Sequence, residues 1–380
     1  MKLLTNYYLI FWLFGLINNV LYVVILSAAM DLVDPKTPKS LILLFDILPS
    51  LLVKLISPFH IHKIEYNHRI VSIIIMSIVG MLCVSSQYNL GWTLVGITLA
   101  SISSGFGEVT FLQLTHFYDD SSNGDALNGW SSGTGGAGLV GSFCYLLLTS
   151  IFHISIPLSL LSFEIFPLGF LLYFKLDRNH QPYVALPNSS SPHPQNNPST
   201  WFKLKTLIFP YMLPLTTVYF FEYLINQSVA PTLLFPLEIL PFKKFRDLYV
   251  LYGTLYQIGV FISRSSGKWL RLRHLYALSL LQGLNLIITL LQSWYFINKH
   301  WPWLNMILVL WEGLLGGSSY VNTFLNIQQD LPHDQIEFAM GSVSLSDSLG
   351  VFLAALVGLS LEPTLCKHQI EEGRPWCRME

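Results

Sequence analysis

Apolar runs long enough to cross a bilayer recur along this chain, separated by short polar breaks. A membrane helix needs about 20 mostly apolar residues. About eleven stretches meet that need, near 7–30, 40–58, 69–87, 91–118, 129–152, 155–175, 205–228, 246–263, 274–297, 303–328 and 338–361. The pattern predicts an all-α polytopic membrane protein. The first run ends in Ser27-Ala28-Ala29, which has the look of a leader cleavage site. Its apolar stretch exceeds the roughly 7–15 residues of a leader core, so it reads as an uncleaved first span. Residues 177–200 break the pattern, because DRNHQPYVALPNSSSPHPQNNPST is rich in Pro, Ser and Asn and has little to bury. It predicts a flexible cytosolic linker. The linker divides a six-helix half (1–176) from a five-helix half (201–361), which is followed by a polar tail (362–380).

The two halves repeat. Leu16-Ile17-Asn18-Asn19 in the first span matches Leu224-Ile225-Asn226-Gln227 in the seventh, and Thr110-Phe111-Leu112 in the fourth matches Thr323-Phe324-Leu325 in the tenth. After each of those last two comes an acidic loop, with Asp119, Asp120 and Asp125 in one half and Asp330 and Asp334 in the other. The offset stays at about 210 residues, and internal repeats of this kind are typical of transporters with a site between the halves. By that offset a twelfth span should begin near Pro363, but EPTLCKHQIEEGRPWCRME is too polar to cross.

Composition narrows the class further. The chain has 380 residues, 52% hydrophobic and 11% charged, against about 25% charged in soluble domains. Its mean hydropathy is +0.51. A net charge of −1 without any basic run gives no footprint for nucleic acid. No polar stretch is long enough for a separate catalytic domain, and no Ser-His pair, metal-ligand cluster or G-x-x-x-x-G-K-[ST] phosphate loop occurs, so the expectation is a non-enzyme without cofactor or metal. Gly133 to Gly138 formally fits G-x-G-x-x-G, but that motif needs a strand–turn–helix context which is missing. His60 and His62 read as a solvated loop. Lys63 and Arg69 after span two, Lys175, Arg178, Lys203 and Lys205 around the linker, and Arg264, Lys268, Arg271 and Arg273 after span eight share one side. The positive-inside rule makes that side, and the N-terminus, cytosolic. Lys243, Lys244 and Arg246 weaken the bias without reversing it.

Chemistry is expected from ionisable and amide groups inside spans, which are costly there and mark substrate or ion pathways. Asp46, Ser50 and Lys54 follow at four-residue steps beside Pro49, putting an acid and a base on one face. The alternatives are ion pairs with neighbours, or Lys54 snorkelling to the interface. Glu108 shares a face with Ser101, Ser104 and Gly105. Glu222 lies beside Asn226, Glu312 faces Gly316, Ser319 and Thr323, and Asp347 faces Gly350, Ala354 and Gly358. Such acids suit a cation or a proton relay, or they hydrogen-bond as packing elements. Asn18, Asn19, Asn226 and Gln227 either line a site or glue helices. Arg264 either gates the cytosolic side or satisfies the charge rule. Gly129, Gly133, Ala137 and Gly141 form a small-residue ridge for close helix packing. Cys366 and Cys377 can pair if the tail is lumenal. On the cytosolic side Cys377 would be placed like a prenylation box, which Arg378 and Glu380 fit poorly.

Several of these segments resemble the battenin family, and specifically a fungal member. FGLINNVLYVVILSAA (14–29), DILPSLLVKLISP (46–58), ASISSGFGEVTFLQLT (100–115), GWSSGTGGAG (129–138), FEYLINQ (221–227), GVFISRSS (259–266), EGLLGGSSYVNTF (312–324) and EFAMGSVSLSDSLG (337–350) carry the likeness. The resemblance implies a vacuolar or lysosomal membrane protein with a major-facilitator-like bundle. It implies roles in vacuolar pH homeostasis and in transport of basic amino acids, chiefly arginine. In animal relatives it also implies clearance of glycerophosphodiesters. The expected partners are membrane lipids, a small-molecule substrate of one of those kinds, and protons. A rival expectation is a non-transporting regulator that recruits trafficking or proton-pump partners through cytosolic loops.

Overall fold

In a computed structural model, residues 6–28, 32, 40–118, 125–176, 200–239, 245–299 and 301–378 are described. Asp119, Asp120, Lys243, Lys244 and the linker up to 199 lie outside them. Each predicted run is a helix. They are α1 (Tyr7–Ser27), α2 (Ser40–His60), α3 (Tyr66–Ser86), α4 (Leu90–Tyr118) and α5 (Asp125–Leu146). After these come α6 (Ile156–Lys175), α7 (Thr200–Thr232), α8 (Phe245–Ser265), α9 (Leu275–Tyr295), α10 (Pro302–Asp330) and α11 (His333–Glu371). Among the described residues, nine helices are long and apolar enough to span by composition. Of the eleven runs, α5 and α8 fall short. α5 is diluted by glycine and serine, and α8 carries Arg246, Asp247, Gln257 and Arg264.

Local chemistry sets the helix ends. Asn6 caps α1 by accepting the Leu9 N–H, and Asn89 caps α4 through the Trp92 N–H. α9 ends at Phe296, whose φ of 50° is unusual for a bulky residue. The Phe296 ring is held by Phe235 and Trp376, with the Arg374 guanidinium over it. Gln292 bonds the Asn298 backbone in both directions and closes the turn. α7 is interrupted by π-helical turns at Ile208–Met212 and Ile225–Val229. α11 breaks at Ser344 between His333–Val343 and Leu345–Glu371.

The chain divides into two compact units: residues 1–210 with 327–345, and residues 211–326 with 346–380. In the first, the glycine ridge of α5 lies against α1. A methyl at Gly129 would meet the Tyr8 carbonyl oxygen, and one at Gly133 the Trp12 carbonyl oxygen. Close approach of this kind needs hydrogen in place of a side chain. Beside the ridge Phe111 stacks on Trp130 and Phe170, with ring centroids 5.5 and 4.9 Å apart. In the second unit α8 and α10 pack equally closely, Gly259 under the Leu310 carbonyl and Gly313 under that of Tyr256.

α11 continues beyond the predicted end of its span at residue 361, to Glu371. The extension is amphipathic. Leu365 and Gln369 are buried, and Gln369 Nε2 donates to the carbonyls of Thr232 and Ser293. Cys366 and Cys377 form a disulfide, which folds the tail back. Arg374 then reaches the Trp294 carbonyl at 2.8 Å, and the His368 and Trp294 rings stack 3.8 Å apart. The Cys377 thiol is consumed in that bond, so a lipidated Cys377 does not fit this structure.

Candidate functional site

In the first unit the polar residues of α1, α2 and α4 meet. Pro49 has no N–H to give, so α2 is open at this level. The Ser101 hydroxyl fills the break, donating to the Asp46 carbonyl and accepting the Ser50 N–H at 3.0 Å. Gly105 lets α4 press onto Ser50, and Gly107 makes room for the Asn18 carboxamide. Asn18 Nδ2 donates to the Ser104 carbonyl at 3.1 Å, and Ser104 Oγ donates back to the Asn18 carbonyl. Asn19 turns instead to the Gly15 carbonyl of its own helix.

One turn further, Lys54 Nζ lies 2.6 Å from Glu108 Oε2, with side chains 2% and 11% exposed. Lys54 therefore does not snorkel. The pair is buried, so each charge compensates the other away from water. Asp46, two turns back on α2, is 1% exposed, and both its carboxyl oxygens lack a partner among the described residues.

A second polar cluster closes the far end of α4. Arg69, read above as a loop charge, is a buried residue of α3. It donates to the carbonyls of Ile61 and Ile64 and to Gln113 Oε1, and lies over the Tyr66 ring. Tyr66 donates to Glu337 Oε1 at 2.7 Å, and Gln113 Nε2 donates to the Glu337 carbonyl, so the first segment of α11 is bound to α3 and α4.

In the second unit Glu222 is buried on α7, just before the π-helical turn that carries Asn226. Its Oε1 accepts the Tyr256 hydroxyl at 2.6 Å, and its carboxyl rests on Gly316. Glu312 is fully buried, and neither of its oxygens has a partner among the described residues. Arg264, half-buried at the end of α8, donates to Tyr219 Oη at 2.6 Å and lies 4.1 Å over the Tyr320 ring. Asp347 sits in the first turn of its helical segment and accepts the Ser348 hydroxyl at 3.0 Å. Asn226 is half-buried.

Sequence reasoning missed Tyr219, Tyr256 and Tyr320, and also the Arg69–Gln113–Glu337 set. One signal was available. Asp46 and Lys54 recur as Tyr256 and Arg264 at the repeat offset of about 210 residues, so each half carries a cation at the same place in its second helix.

Buried ionisable groups on a bundle of membrane helices define a transporter-like membrane protein. Solved structures share the fold. The Escherichia coli fucose:proton symporter aligns with a TM-score of 0.63 at 13% identity, over 99% of this chain and 94% of that one. A bacterial homologue of the iron transporter ferroportin, in an outward-facing state, aligns with 0.59 at 15% identity, over 98% and 95%. The fold is therefore major-facilitator-like. The CLN3 protein family model matches residues 9–198 and 186–368. Protein BTN1 of Saccharomyces cerevisiae is 57% identical and Protein BTN1 of Candida glabrata 56%, each over 98% of both chains. The chain belongs to the CLN3, or battenin, family.

Proposed function

We propose that this protein carries basic amino acids, arginine foremost, across the vacuolar membrane by proton-linked alternating access, and so takes part in vacuolar pH homeostasis. The observation that carries the reading is the balance of buried charge. Asp46, Glu108, Glu222, Glu312 and Asp347 stand against Lys54, Arg69 and the half-buried Arg264, and Lys54 is already taken by Glu108 while Arg69 is bound by two backbone carbonyls and Gln113. Asp46 and Glu312 have no partner for either oxygen among the described residues. A buried carboxylate without compensation is expensive, and a cationic substrate or a proton supplies what is missing. The same reading makes the chain a carrier rather than an enzyme.

An anionic glycerophosphodiester is the second reading. One observation favours it: Arg264, half-buried and set by Tyr219 and Tyr320, presents a guanidinium suited to phosphate. The test is purified protein in proteoliposomes, given arginine and glycerophosphodiesters side by side with and without a pH gradient. Gradient-dependent uptake of arginine supports the first reading. Uptake of the phosphodiester alone supports the second, and movement of neither removes both.

A further inference from the structure

Glu222 and Glu312 come from different helices, yet the Glu222 carboxyl lies against α10 one turn from Glu312. The Glu222 carboxyl lies on Gly316 so closely that a methyl there would overlap both oxygens and the carboxyl carbon. Gly316 is one turn beyond Glu312 on the same face of α10, a step of about 6 Å. Of the four carboxyl oxygens, Glu222 Oε1 has a donor, Tyr256, while Glu222 Oε2 and both Glu312 oxygens are buried without one among the described residues. The other charged or titratable groups facing Glu222 are Tyr219 and Tyr223 on its own helix, Arg264 on α8 and Asp347 on α11.

Two ionised carboxylates this near each other in a buried site repel, and one proton held between them removes the repulsion. That proton also supplies a donor to oxygens that have none among the described residues. We infer that Glu222 and Glu312 form a single proton-binding pair, in which one carboxyl donates its O–H to the other while Tyr256 donates to Glu222 Oε1. Release breaks that O–H bond, sends the proton out and leaves one further negative charge, which a bound cation balances. The pair is the coupling site if the transport reading holds. Its existence as a proton site does not depend on that reading.

The test uses the full-length purified protein with Glu222→Gln, Glu312→Gln and Tyr256→Phe. Infrared difference spectra between acid and alkaline buffer read the carbonyl stretch of protonated carboxyls, and a pH dye in proteoliposomes reads protons released on adding arginine. The expected result is a pH-dependent band in the parent that each glutamine variant removes and Tyr256→Phe shifts. Proton release should be lost in both glutamine variants. A band unchanged in both would overturn the pair, as would a pH-insensitive band that responds only to sodium. If the parent releases no proton on adding arginine but the band behaves as expected, the pair stands and the transport reading falls. A purely packing role would lower the melting temperature of the glutamine variants without touching the band. Should either variant fail to fold, the Tyr256→Phe shift decides alone, and no shift would overturn the pair.

Discussion

Replacing Lys54 by Met removes the ammonium that pairs with Glu108 in this buried stretch. At 2.6 Å and an effective dielectric constant of about 20, the Coulomb attraction is about 6 kcal/mol. Part of this is offset by the cost of taking both charges out of water, so the pair as a whole contributes far less than its attraction. Removing one partner is a different matter, because the other charge stays buried without the opposite charge that faced it. Both side chains are shielded enough that solvent screening does not rescue it. The expected cost of Lys54→Met is about 3–5 kcal/mol, and Glu108→Met should cost a similar amount. The double variant, with two apolar side chains facing each other, should recover most of the loss. A double-mutant cycle on detergent-purified protein, followed by denaturant or thermal unfolding, measures the coupling directly. Lys54→Met within about 0.5 kcal/mol of the parent, or strictly additive single effects, would refute the buried pair.

Further expectations follow from other contacts. Gly133→Ala places a methyl against the Trp12 carbonyl and should cost about 1–3 kcal/mol, seen as a lower melting temperature and less monodisperse protein. Gly253→Ala, where nothing lies within 4 Å, should be neutral or stabilising by up to about 1 kcal/mol. Ser101→Ala strands the Asp46 carbonyl and the Ser50 N–H, for an expected loss of about 1–3 kcal/mol, whereas Ser101→Thr, which keeps the hydroxyl, should retain more stability. Removing the Cys366–Cys377 bond with a double serine variant should cost about 2–4 kcal/mol. That disulfide and the basic Arg264–Arg273 stretch lie at opposite ends of α9. An impermeant thiol reagent should therefore label the reduced tail from the lumenal side; cytosolic labelling would reverse the orientation.

The polar positions inside the spans stand out in one dimension, since a carboxylate among twenty apolar residues is conspicuous wherever it points. Their partners do not. Lys54 and Glu108 are far apart in the chain, and nothing in either segment names the other. The Pro49 break was visible, but not the Ser101 hydroxyl that fills it from α4. Arg69 looked like one more loop charge, because burial of a cation by two backbone carbonyls and a glutamine leaves no local pattern. The tail misled in the same way. The stretch read as a polar tail too polar to cross, while Gln369 and Arg374 spend their donors on carbonyls at the end of α9 and a disulfide holds them there.

What the sequence by itself determined is therefore the helical membrane class, the helical runs and the spacing of the small residues. Each of these follows from periodicity and from the cost of leaving backbone groups unbonded in lipid. Which faces of the helices meet was decided by the tertiary structure alone. A span that is apolar all round carries little amphipathic signal to set its rotation. The pairing of Lys54 with Glu108, and of Glu222 with Tyr256 beside Glu312, came from glycine-permitted close approach and from the need of each buried polar atom for a partner.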